Sequence, residues 1–320
     1  MATYLVTGGA GFIGSHVVHE LVRRGEVVRV LDNLSTGRMV NLAHISDQIV
    51  FCEIDIRDLG RISRLFERVD YVVHLAAVPS VARSIADPLM ANAVNITGTL
   101  NVLLAARDAG VKRLVFAASA AAYGDNPTMP RVETLTPNPL SPYALAKLAG
   151  EYYCQVFTRI YGLETVALRY FNIFGPRQNP DSPYSGVLSK FVAAYHRGDT
   201  PVIFGDGEQS RDFTYVDNVV DATLKACAAT AAAGRIINVG VGRSYTLNQT
   251  IALLNGIFEQ QVRPRYDPPR PGDVRHSLAD ISLARQVLGY EPRVGFEEGL
   301  RRTVDWFRAK TGAGGRGSAP

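Results

Sequence analysis

The sequence predicts an α/β protein: a parallel β-sheet flanked by helices, with a smaller mixed α/β lobe in the C-terminal part. Three features predict it. From residue 3 to about 170, short β-branched and apolar runs alternate with longer runs of helical period, the pattern of repeated βα units. The first unit carries a glycine-rich turn between its strand and its helix. Beyond 172 the alternation loosens and Pro and Gly become frequent, which marks a change of architecture.

Thr3 to Thr7 reads as a strand, followed by Gly8-Gly-Ala-Gly11-Phe-Ile-Gly14 and a helix whose apolar side is Ile13, Val17, Val18, Leu21 and Val22. Gly25 ends this helix, and Val27 to Leu31 forms the next strand, closing in Asp32. A βαβ unit of this kind is the setting a dinucleotide fingerprint requires, and it makes the sheet Rossmann-type. Gly8 permits the tight turn, Gly11 lets backbone N–H groups approach a pyrophosphate, and Gly14 lets the helix lie close on the strand, with Phe12 and Ile13 between them. The phosphates would sit at the positive end of the helix. Asp32 follows Gly11 by about twenty residues, where a carboxylate accepts hydrogen bonds from ribose hydroxyls and repels a 2′-phosphate. NAD is therefore expected rather than NADP.

The strand Ile49 to Glu53, a helix near Leu59 to Phe66 and the strand Tyr71 to His74 continue the pattern. Leu75, Ala76 and Ala77 follow, and small side chains at a strand's carboxyl end leave room for a cofactor. A long helix from about Pro88 to Ala109 carries Asn95 and ends at Gly110; Arg113 to Ala117 is the next strand and leads into Ser119. Ser141-Pro-Tyr143-Ala-Leu-Ala-Lys147 then opens a helix reaching Tyr161 and Gly162. Tyr143 and Lys147 stand at i and i+4, so phenol and ammonium project from one face, and a nearby ammonium would favour tyrosinate. Together with Ser119 they form a Ser/Tyr/Lys constellation suited to acid–base chemistry on a hydroxyl.

The strand Thr165 to Leu168 leads into Arg169-Tyr170-Phe-Asn172. Residues 1–171 are expected to form the dinucleotide-binding domain, to which the chain returns near 213–240, at Phe213 to Tyr215 and at Ile236 to Val239. Residues 172–311 would form the interleaved substrate lobe and 312–320 a flexible tail.

With 47% hydrophobic and 20% charged residues and a net charge of +4, the composition is that of an ordinary globular protein. No basic run interleaves with aromatics, so nucleic acid is not expected as a partner. No apolar stretch reads as a membrane span and the opening residues lack a charged leader, so a cytoplasmic location is expected. Cys52, Cys154 and Cys227 are odd in number and far apart, and the six histidines form no ligand-spaced cluster. Free thiols and no metal are expected.

Taken in order, TGGAGFIG, SAAAYG, YALAK, RYFN, GDGEQSRDF and RPGDVRHSLAD resemble the extended short-chain dehydrogenase/reductases, and among them the UDP-galactose 4-epimerase family, over nearly the whole chain. The resemblance implies an NAD-dependent UDP-sugar 4-epimerase that keeps its cofactor bound and works through a 4-keto sugar. Tyr143 as tyrosinate would take the proton of the 4-hydroxyl, Lys147 would lower the phenol pKa and hold the nicotinamide ribose, and Ser119 would hydrogen-bond the oxygen as it becomes a ketone. Asn33, Ser35, Thr36 and Gly37 would surround the adenosine ribose, Asp55 and Ile56 would meet the adenine, and Asn95, Ala117 and Tyr170 would help hold the cofactor. On the substrate side the resemblance implies Ser80 and Asn172 at the sugar and diphosphate, Val187 and Leu188 along the nucleotide channel, and Val202 and Phe204 flanking uracil. It also implies Arg211 and Arg270 on the diphosphate and Asp273 on the ribose.

Elimination and decarboxylation are disfavoured, because Ala120 and Ala121 stand where relatives of those classes place a carboxylate, and alanine moves no proton. Ser277 occupies the position where glucose/galactose-restricted members resemble one another in carrying Tyr; a serine there, with Gly186, leaves volume for an acetamido group. Activity on both plain and N-acetylated UDP-hexoses is expected. UDP-glucuronate 4-epimerase, another nucleotide-sugar enzyme of this superfamily, and more distantly a non-catalytic NAD sensor are the alternatives. By resemblance, the helices near 88–109 and 142–161 would form a four-helix homodimer interface.

Overall fold

A computed structural model of the chain describes residues 1–179, 186–269 and 274–314. The first part runs β1 (Thr3–Thr7), α1 (Phe12–Arg23), β2 (Val27–Asp32), β3 (Ile49–Glu53), α2 (Leu59–Ile62), β4 (Tyr71–His74) and α3 (Val81–Ala86). It continues through α4 (Pro88–Asn92) and α5 (Thr99–Asp108), joined without a break by a π-helical turn at Ala93–Gly98, to β5 (Arg113–Ser119), α6 (Pro142–Tyr161) and β6 (Glu164–Tyr170).

The second part contains β7 (Ile173–Phe174), α7 (Val187–Arg197), β8 (Val202–Phe204), β9 (Ser210–Arg211), β10 (Thr214–Tyr215), α8 (Val216–Ala228) and β11 (Ile236–Val239). After these come β12 (Tyr245–Thr246), α9 (Leu247–Phe258), β13 (Arg265–Asp267), β14 (His276–Ser277), α10 (Ser282–Leu288) and α11 (Phe296–Gly314).

Seven strands form one parallel sheet in the order β11-β6-β5-β4-β1-β2-β3. The order reverses between β1 and β4, and at such a switch point the loops after two neighbouring strands diverge and open a crevice. The sheet is covered on both faces, which is why its strands read as continuous apolar runs rather than alternating ones. Val17, Val18 and Leu21 of α1 and Val219 and Ala222 of α8 pack with Val30 and Leu168 on one face. Val102 and Leu103 of α5 and Cys154 and Phe157 of α6 pack with Leu5, Val72 and Leu114 on the other. A separate cluster holds the second part together, with Phe213 and Phe296 stacked at 4.9 Å and Phe174 edge-on to both.

Two expectations need correction. Phe213 to Tyr215 does not return to the main sheet: β10 pairs with β7 in a small sheet of its own, while β11 pairs with β6. The cause lies at Asn172, whose φ of +35° ends β6 in a left-handed turn that Asn tolerates better than most residues and directs the chain outward. The rod from Pro88 to Asp108 is long and apolar enough to cross a membrane by length and composition only, and half of its apolar window is buried inside the fold. Finally, α11 runs on to Gly314, into the segment expected to be a flexible tail.

Candidate active site

Helix α6 starts where it does because Ser141 caps it, its Oγ accepting the N–H of Ala144 at 3.1 Å, with Pro142 in the first helical position. The N–H of Tyr143 has no intrahelical acceptor. It donates instead to Oγ of Ser84, a fully buried residue of α3, at 3.0 Å. One turn further, Lys147 is buried, and its Nζ donates to the carbonyl of Ala117 at 2.7 Å and lies 4.9 Å from the Phe116 ring centroid. Ser119 ends β5; its Oγ accepts the N–H of Ala121 at 3.1 Å, which leaves its own proton for the phenol oxygen of Tyr143. The three residues of the expected constellation therefore converge, with β5 supplying Ser119 and α6 supplying the other two.

Burial pushes the Tyr143 phenol above its ordinary value, and the Ser119 hydrogen bond pulls the other way. A lowering by Lys147 is expected from the sequence, yet the net shift is upward. Lys147 itself is turned to the end of β5, and burial pushes its own ammonium down to about 8, against the opposing field of Glu151. Glu151, one further turn along α6, is wholly buried and forms a two-pronged ion pair with Arg169 of β6 at 2.9 and 2.8 Å. The Arg169 guanidinium lies over the Tyr123 ring at 4.5 Å.

At the switch point, Gly8 has φ +71°, and a Cβ there would lie 2.7 Å from the N of Ala76 in the loop after β4. At Gly14 a Cβ would collide with the Gly8 carbonyl oxygen. Gly11 is the N-cap of α1 and no side chain caps that helix, so its N-terminal N–H groups face the crevice unscreened by an acidic residue. Asp32 ends β2 buried, its two oxygens accepting the N–H groups of Ala10 at 3.0 Å and Leu34 at 2.8 Å. A Cβ at Gly37 would come within 2.8 Å of both those oxygens, so glycine keeps the carboxylate approachable.

Asn33 donates to Asp55 at 2.8 Å and accepts the N–H of Ser35 at 3.0 Å, and Thr36 is exposed beside them. The Asp55 carboxylate is filled by the Arg57 side chain and N–H together with Asn33, and the Arg57 hydrogen bond holds it down to about 2. Arg57 and Asn33 thus fix the orientation of the Asp55 carboxylate just beyond the end of β3. Ile56 is buried, against Gly98 of the π-helical turn. Tyr170 is buried, and its hydroxyl bonds that of Thr223 of α8 at 2.7 Å.

A cavity of about 250 Å³ lies in the second part, lined among others by Asn172, Val187, Leu188, Val202, Phe204 and Arg211. Arg211 and Ser277 are directly paired neighbours of β9 and β14, and the Asn172 amide donates to the carbonyl of Asp212 at 3.2 Å and reaches Ser277 Oγ at 3.5 Å. Arg211 donates to the carbonyls of Ser210 and Arg275 at 2.9 and 3.1 Å. Ser80 is buried as the N-cap of α3, accepting the N–H of Arg83. Arg270 and Asp273 lie outside the described residues. Sequence reasoning missed Ser84, whose contact spans 59 positions and leaves no local signal, and Thr7 and Thr99, whose hydroxyls flank His74.

The profile of the NAD dependent epimerase/dehydratase family matches residues 4–240. UDP-glucose 4-epimerase of Mycolicibacterium smegmatis is 41% identical over 311 residues, covering 96% of this chain and 99% of its own. The crystal structure of UDP-glucose 4-epimerase from Thermotoga maritima with UDP-glucose superposes with a TM-score of 0.93 at 44% identity, covering 97% of this chain and 99% of its own. UDP-N-acetylglucosamine 4-epimerase from Methanobrevibacter ruminantium, in complex with UDP-N-acetylmuramic acid, also gives 0.93, at 41% identity with the same coverage. With a parallel sheet in this order and Ser119, Tyr143 and Lys147 at the carboxyl end of β5, the chain belongs to the NAD dependent epimerase/dehydratase family, as an extended short-chain dehydrogenase/reductase of the UDP-sugar 4-epimerase group.

Proposed function

We propose that the chain interconverts UDP-hexoses at carbon 4, on both plain and N-acetylated sugars. The convergence of Ser119, Tyr143 and Lys147 beside the glycine crevice carries this reading. The crevice fits a dinucleotide: a cradle that any Cβ would fill, an uncapped helix N-terminus for a pyrophosphate and the Asp32 carboxylate for ribose hydroxyls. Asn33, Ser35, Thr36, Gly37, Ile56, Ala76 and Asn95 would complete its walls. NAD, when bound, would supply the two-electron acceptor and donor.

Tyr143 takes the proton of the sugar 4-hydroxyl and returns it after the sugar has turned. Ser119 donates to the same oxygen, stabilising charge as it develops. Lys147, held by Ala117, supplies the positive field that the desolvated phenol needs to ionise. Arg211 anchors the diphosphate, while Val202 and Phe204 hold the base, so the keto sugar stays attached while it turns. Ser277, small and beside Arg211, leaves room for an acetamido group. Ala120 and Ala121, in the turn after Ser119, offer no carboxylate for elimination.

A second copy of the chain is the partner this reading expects. Leu145, Tyr152, Val156 and Ile160 line one side of α6 and are exposed beside Ile85 and Leu89, an apolar face that a homodimer would cover. Sedimentation of the purified protein tests this. Initial rates on UDP-glucose, UDP-galactose and their N-acetylated counterparts, without added cofactor, test the activity. Turnover on both pairs is expected, and complete inactivity on the acetamido pair would remove the argument from Ser277.

A further inference from the structure

Thr7, His74 and Thr99 are all buried, and the hydrogen bonds between them run in only one direction. Oγ1 of Thr7 accepts the N–H groups of Leu75 and Ala76, each at 3.2 Å, so its single proton goes to Nδ1 of His74, 2.6 Å away. Oγ1 of Thr99 donates to the carbonyl of Asn95 at 2.7 Å, so the 3.0 Å contact with His74 Nε2 must be donated by the imidazole. His74 is therefore neutral and protonated on Nε2. An imidazolium would set two donors against the Thr7 proton, in a site that also faces the Lys147 ammonium across the Phe116 ring. The relay ends on a clamp: Asn95 accepts the N–H of Val78 at 2.8 Å and donates to the Val78 carbonyl at 3.1 Å.

The chain of bonds thus ties the end of β1, the loop after β4 and the π-helical turn into one unit, and all three border the crevice. We infer that His74 is a positioning residue for the cofactor: as a neutral Nε2-H imidazole it locks the loop from Leu75 to Val78 and Asn95 into the shape that receives the nicotinamide half of NAD. This rests on the reading of the crevice as the NAD site. A π-helical turn held this way has a reason to persist, since such turns give up regular hydrogen bonding and recur at functional sites.

The test compares wild-type protein with His74→Leu, His74→Gln and Thr99→Val. NAD released on denaturation is measured per chain, and UDP affinity is measured by calorimetry as a control on the other cavity. In His74→Leu, NAD content or affinity is expected to fall by about tenfold or more, the size of one lost buried hydrogen bond, with UDP affinity kept within about twofold. Thr99→Val, which removes the hydroxyl between His74 and the Asn95 carbonyl but keeps the Thr7 link and the side-chain shape, should show a smaller loss in the same direction and decides the matter if the leucine variant does not fold. Gln offers one acceptor and one donor and should restore part of the loss.

Nitrogen-15 NMR of histidine-labelled wild-type protein should show His74 protonated on Nε2 alone and unchanged across neutral pH. Unaltered NAD retention in His74→Leu, or in Thr99→Val if the leucine variant does not fold, would overturn the inference, as would a proton on Nδ1. Wild-type protein with no NAD affinity would overturn the reading of the crevice instead, a result told apart by the unmoved tautomer.

Discussion

Nζ of Lys147 donates to the main-chain carbonyl of Ala117 at 2.7 Å, so the ammonium is fixed by the end of β5 rather than by the phenol it accompanies on α6. In its proposed role it acts on Tyr143 through space, and only while the amine is protonated. Burial brings that proton off at about 8 rather than at the usual value for lysine. The kcat is therefore expected to fall as pH rises through about 8, and this limb should vanish in Lys147→Met, which starts from a rate about 10²- to 10⁴-fold lower. A pH profile of kcat checks it. Stability moves oppositely. The folded state binds this proton more weakly than the unfolded state, so between about 8 and the ordinary lysine value the Lys147 contribution to stability rises with pH.

Ser84 holds the Tyr143 amide from another helix. In Ser84→Ala the first turn of α6 loses a buried acceptor, and a loss of about 1–3 kcal/mol in unfolding free energy is expected. Because the loosened N–H belongs to Tyr143, kcat should fall by about tenfold while KM for the UDP-sugar changes by less than about twofold. Denaturant unfolding and steady-state kinetics on the same preparation measure both.

Glu151 and Arg169 are both buried and paired through two hydrogen bonds. Replacing Glu151 by Leu leaves the guanidinium without its counter-charge, and a destabilisation of about 3–5 kcal/mol is expected. Replacing both residues by Leu and Met removes the orphaned charge and should recover most of that loss. Urea midpoints of the single and double variants decide it.

Ser277 stands opposite Arg211, which lines the cavity. A tyrosine there fills the volume assigned to the acetamido group. Ser277→Tyr is expected to lower kcat/KM for the N-acetylated pair by at least about 10²-fold while leaving the plain pair within about threefold. Rates on the four UDP-sugars measure the ratio.

Much of this was legible in the residues. The first βαβ unit is readable because its strands, glycines and Asp32 are local features with local consequences, and β1, β3 and β4 fall at the residues expected of them. Ser119, Tyr143 and Lys147 were readable as types and spacings. Their electrostatics were not: that Lys147 faces Ala117, and that burial raises Tyr143, depends on how β5 and α6 are packed together. The same holds for Asp55, whose carboxylate is filled by Arg57 and Asn33, and for Ser84 and Thr99, which act on residues distant in the chain or on another element. The departure of β10 from the main sheet turns on one left-handed residue, Asn172, that no apolar pattern announces.

Tyr143→Phe tests the central claim most directly, because it removes one oxygen from the site and leaves the ring. Interconversion of every UDP-hexose is expected to fall by about 10²- to 10⁴-fold, with the NAD content per chain and the affinity for UDP unchanged. A variant that retains its dinucleotide and turns over UDP-glucose at the wild-type rate would contradict the assignment of the phenol as the group that moves the proton.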